Sequence, residues 1–137
     1  MDRSKHCSHR LFEWMTAMMM IGIAITIMVS AHAVEAGGFY LMTNLGLTSS
    51  VLVAFFWVTG CLRVAGLYAN GHWPVYGPWC RAGCALGGAF IWAQMFLSLI
   101  KWSSQSGYVS LGVPVYLFLT LGELFSCYRA ASDGRSR

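Results

Sequence analysis

Arg63 lies inside a long apolar segment, and a guanidinium stays charged at every attainable pH. At bilayer depth it needs a carboxylate, a carbonyl, water or a lipid phosphate as its partner. Glu123, inside another apolar segment, and Glu13, at the start of the first, are the carboxylates placed to serve it. Intramembrane charges of this kind do three sorts of chemistry: they pair to specify a bundle, bind an anion, or relay a proton.

Other residue groupings carry less. His6, Cys7 and His9 are close together near the N-terminus, but a zinc site needs a fourth ligand and a scaffold. A solvated basic flank facing anionic lipid explains them more simply. Met15, Met18, Met19, Met20 and Met28 offer thioethers suited to Cu(I). Three consecutive methionines cannot share one helix face, which favours adaptable packing. His32 with Glu35 is either a proton-responsive pair or a solvated histidine near an interface. Cys80 and Cys84 stand one helical turn apart, which is not the Cys-x-x-Cys spacing of redox chemistry. All cysteines except Cys61 fall at or near the reducing side, so no structural disulfide is expected and a thiol oxidase is disfavoured. No nucleophile stands beside a base, no acidic pair suggests a metal and no glycine loop suggests a phosphate. His32 is too near the interface to hold haem. The expectation is a protein without enzymatic activity, metal or cofactor.

Composition places these residues in a membrane. The 137 residues are 57% hydrophobic and 10% charged, against about 25% charged in soluble domains, and the mean hydropathy is +0.58. The net charge of +4 sits in short flanks beside apolar runs, which argues for topology signals and against nucleic acid.

Four apolar runs, at about 11–34, 47–69, 80–100 and 109–128, each approach the roughly 20 residues that cross a bilayer as a helix. The expected fold is an all-α polytopic membrane protein, a four-transmembrane-helix bundle over 11–128. Residues 1–10 form a basic cytoplasmic flank and 129–137 a polar tail without ordered structure. Arg3, Lys5, Arg10, Arg81, Arg129, Arg135 and Arg137 fall on the N-terminal side and Lys101 opposite, which puts both termini in the cytoplasm. The basic start, apolar stretch and Ala31-His32-Ala33 also resemble a secretory signal with its cleavage site. The stretch exceeds a signal core, which favours retention, and cleavage would not invert the other helices.

On the second helix Thr59, Gly60, Gly66, Leu67 and Asn70 share the face of Arg63 and should look inward. Arg63 is roughly 10 Å from the cytoplasmic end, within reach of the head groups by snorkelling. On the fourth helix Gly112, Tyr116, Thr120, Glu123 and Cys127 share a stripe, with Glu123 at roughly 8 Å. Equal depth predicts an Arg63–Glu123 pair, with Glu13 as a second carboxylate. The third helix carries Cys80, Gly83, Cys84 and Gly87, and Gly83-x-x-x-Gly87 permits close helix approach. Gln94 and Ser98 continue that face. Residues 70–79 read as an interfacial hairpin with an aromatic belt, and Pro114 as a kink in the fourth helix.

The strings Arg10-Leu-Phe-Glu-Trp14, Leu62-Arg-Val-Ala-Gly-Leu-Tyr-Ala-Asn-Gly-His-Trp73, Trp92-Ala-Gln94 and Glu123-Leu-Phe-Ser-Cys-Tyr-Arg-Ala130 resemble small four-helix integral membrane proteins encoded by tailed bacteriophages. The resemblance spans most of the chain but rests on short motifs, and the group has no assigned activity. It implies a shared polar set of Glu13, Arg63, Asn70, Gln94 and Glu123. It also implies a place in the host inner membrane, with holin-like permeabilisation or superinfection exclusion as natural roles.

Three functional expectations follow. The first is a non-enzymatic membrane protein that self-associates through glycine-rich faces, its partners being the lipid bilayer and its own copies. The second is a small transporter or a ligand- or proton-binding bundle using Arg63 and Glu123, although the broken-helix repeats of many transporters are missing. The third is an accessory subunit of a larger membrane complex.

Overall fold

The computed structural model describes residues 10–35, 37–72 and 76–135, with only the backbone of Ala31 and of residues 69–72. The chain is helical throughout, with no strand among the described residues. Helix α1 is Leu11–Val29, α2 is the short Tyr40–Asn44, α3 is Ser49–His72, α4 is Gly77–Ser106 and α5 is Gly112–Arg135. Three stretches are long and apolar enough to cross a membrane: Leu11–Val29, Ser49–Tyr68 and Gly77–Ser106. By length and composition they mark an integral membrane protein. Helix α5 matches α3 at 24 residues, but Glu123, Arg129, Asp133 and Arg135 make it less apolar.

Local sequence explains the ends. Pro78 opens α4 in its first turn, where a missing N–H breaks no intrahelical bond. Gly107 closes α4 in the left-handed region at φ 80°, its N–H donating to Ser103 O at 3.1 Å. Pro114 lies early in its helix, as expected, but as the third residue of α5 it sits in the first turn, where no ladder bond is lost and a kink has no basis. The expected disordered tail is corrected as well, since α5 continues to Arg135. Its last turn packs on α4, with Gly134 against the Trp79 indole.

Helix α1 packs chiefly on α3, and α4 on α5, with the α3–α4 seam joining the two hairpins. The link between α1 and α3 is built rather than loose. Two 3₁₀ turns, Ala31–Glu35 and Gly37–Phe39, followed by α2, fold over the end of the bundle remote from Arg63. Gly37 lies where only a hydrogen fits beside the Trp102 ring, and the Leu41 N–H donates to Ser98 Oγ at 3.2 Å. Phe39 meets Phe56 edge to face at 5.8 Å. With Met20, Leu52, Trp92 and Met95 the two phenylalanines form a hydrophobic core, and Trp92 stacks on Tyr116 at 5.9 Å.

Candidate functional site

The opposite end of the bundle holds the charges. The starts of α1 and α4, the C-terminal half of α3 and the middle and end of α5 meet there, so that each long helix contributes a polar side chain. Arg63 Nη2 is 2.6 Å from Glu123 Oε1, and the Glu123 side chain is 0% exposed. The same Nη2 donates to Thr16 Oγ1 at 2.8 Å, and Nη1 donates to the Cys84 carbonyl at 3.3 Å. The Thr16 hydroxyl in turn donates a hydrogen bond to the Glu13 carbonyl at 3.1 Å. Glu13 pairs with Arg81 rather than Arg63: Glu13 Oε1 is 3.1 Å from Arg81 Nε. Arg81 Nη1 in turn donates to Asp133 at 3.4 Å, whose side chain is 55% exposed.

Two guanidiniums thus face two buried carboxylates, with a third carboxylate at the rim. The balance matters, because one unpaired charge at helix centre costs about 2.5–3.5 kcal/mol on insertion scales. Glycine makes the packing feasible. The Arg63 guanidinium and the Glu123 carboxyl lie against Gly88, in space that a Cβ there would need. Gly122 does the same for the Phe12 ring, and Gly60 lets α3 approach Ala17 and Ile21 of α1. Gly66 faces the Cys84 thiol, which leans on the Leu62 carbonyl at 3.9 Å.

Several sequence expectations are revised. Arg81, read as a cytoplasmic flank, is buried, because α4 begins at Gly77 and carries it into the seam with Glu13. Gly83 and Gly87 were expected at a helix contact; both point outward with nothing within 4 Å of their Cβ positions, and the close approach falls one residue on, at Gly88. Gln94 is half-buried on α4 and belongs to neither ion pair. The side chain of Asn70, the His6–Cys7–His9 cluster and Trp73–Val75 of the hairpin lie outside the described residues. His32 Nδ1 and Glu35 lie 3.0 Å apart, both exposed. Met15, Met18 and Met28 are exposed and Met20 is buried, as divergent positions on one helix must be. Cys61, Cys80, Cys84 and Cys127 are all free thiols.

Sequence reasoning missed Thr16, Arg81, Gly88 and Asp133. Thr16 is readable in hindsight as the i+3 neighbour of Glu13, on the same helix face. Gly88 carries no distinguishing signal among so many glycines. The chain matches no protein-family model, and neither the curated proteins nor the solved structures contain a significant match to it.

Proposed function

We propose that the chain is a non-enzymatic, four-span protein of a bacterial inner membrane, with both termini cytoplasmic, that self-associates and acts on the membrane itself. Holin-like permeabilisation and superinfection exclusion are the two forms of that action. The carrying observation is that charge and packing are both used up inside the bundle. The two buried ion pairs tie the four long helices together, and Trp92, Phe56, Met20 and Leu52 fill the far half. An ion path through one chain would have to displace that core, so action on the membrane falls to surfaces between copies. The outward Gly83 and Gly87 allow close approach of a second helix there. Arg10, Arg129 and Arg135 flank the charged end, which supports its cytoplasmic placement, and α5 spans as the fourth helix because its Glu123 is neutralised by Arg63.

The test is inducible expression in a bacterial host while following membrane potential and leakage of a cytoplasmic reporter. Abrupt depolarisation after a delay, lost in Arg63→Ala at equal accumulation, is the expected result. Silent accumulation in an intact membrane removes the reading. A second reading, a ligand- or proton-binding bundle, is favoured by the Glu13 and Glu123 Oε2 atoms, which are buried without hydrogen-bond partners among the described residues.

A further inference from the structure

We infer that one water molecule is bound between the two buried ion pairs, bridging Arg63 Nε to Glu13 Oε2. A cavity of about 10 Å³ lies at this point, lined by Glu13, Arg63, Leu67, Arg81, Cys84 and Ala85. That volume is about one water and is too small for a carboxylate, a phosphate or a hydrated ion. The residues that line it carry three buried polar atoms without a hydrogen-bond partner among the described residues: the donors Arg63 Nε and Arg81 Nε and the acceptor Glu13 Oε2. Arg63 Nε and Glu13 Oε2 are both buried and have no hydrogen-bond partner among the described residues, and each side chain belongs to a residue only 3% exposed.

Arg81 Nε is held at ion-pair distance, 3.1 Å from Glu13 Oε1, and the remaining Arg63 nitrogens are engaged elsewhere. Glu13 Oε1 faces Arg81 Nε, Arg63 Nη2 serves Glu123 and Thr16, and Nη1 serves the Cys84 carbonyl. Rotating either Arg63 or Glu13 to find a protein partner would break one of these contacts. A water accepts the Nε–H of Arg63 and donates to Glu13 without disturbing them. Cavities that stay dry are apolar, whereas this one has charged side chains on three helices. The bound water adds a direct side-chain bridge between the α1–α4 pair and the α3–α5 pair, which Thr16 already links through the Glu13 carbonyl. It does not depend on how the protein acts on the membrane.

The test is water-edited solid-state NMR on the full chain in lipid bilayers, labelled with ¹⁵N-arginine, the Arg63 Nε signal being assigned by its loss in Arg63→Lys. Polarisation transfer from water to Arg63 Nε–H is expected in the wild type and should be lost in Ala85→Val, whose added methyl groups fill the cavity. Absence of transfer in the wild type, with transfer to Arg135 visible in the same spectrum, overturns the inference. So does transfer that persists unchanged in Ala85→Val. Where Ala85→Val does not fold, the wild-type spectrum decides alone.

Discussion

The guanidinium of Arg63 occupies the space that a side chain at Gly88 would need, so the ion pair between α3 and α5 exists only because α4 has no Cβ at that level. Gly88→Ala must push the guanidinium off Glu123 and strand two buried charges. The expected loss is that of a broken buried pair, about 3–5 kcal/mol. Gly87→Ala, one residue away and facing outward, should not destabilise and should gain up to about 1 kcal/mol from alanine's higher helix propensity. Unfolding in mixed detergent micelles, followed by circular dichroism, checks both.

The pairing itself is measurable by a double-mutant cycle. Arg63→Ala and Glu123→Ala each leave one uncompensated charge inside the bundle and should each cost about 3–5 kcal/mol. The double variant should cost less than their sum by at least about 1 kcal/mol, since no lone charge remains. Additive losses would show that the two groups act independently, despite the 2.6 Å between them.

How far this site can be read from the chain depends on what sets each feature. Apolar length alone marks α1, α3 and α4, because lipid demands a self-satisfied backbone over a fixed thickness. Arg63 and Glu123 stand out for the same reason: a charge in an apolar run demands a partner at its own depth. Arg81 escapes because it lies at a run's edge, where a solvated flank and a buried cation look alike. Whether it turns inward depends on Pro78 starting α4 early and on acids brought from α1 and α5. The glycine faces are ambiguous for a different reason. A small residue is equally at home against lipid or a neighbouring backbone, and only the rotation of α4 selects Gly88 over Gly87. The cap of residues 31–44 is invisible because its 3₁₀ turns have no long hydrophobic period to betray them.

The second pair should show a graded response that follows burial. Arg81→Ala strands Glu13 inside the bundle and is expected to cost about 3–5 kcal/mol. Asp133→Ala removes a contact at the rim, 3.4 Å long and 55% exposed on the acid side, which is worth no more than about 1 kcal/mol. Equal losses in the two variants, measured by the same unfolding assay, would place Asp133 inside the network rather than at its edge.

At the far end, outside the membrane-spanning segments, Tyr40 provides a pH signature of the cap. Side-chain hydrogen bonds with Asn44, and then with Gln105, hold its hydroxyl below the ordinary tyrosine value of 10.0, with Lys101 adding to the effect. A proton held less tightly in the folded state than in the unfolded one makes folding more favourable as pH rises through the window between the two values. The contribution is present above pH 10, and it is lost as pH falls through the lowered folded value. Phenolate absorbance of the wild type minus that of Tyr40→Phe should therefore titrate below 10, and Asn44→Ala should move the midpoint back upward. A difference titration centred at the ordinary value in both backgrounds would mean that α2 does not hold Tyr40 against α4. The 3₁₀ connection would then be a loop over the bundle rather than its cap.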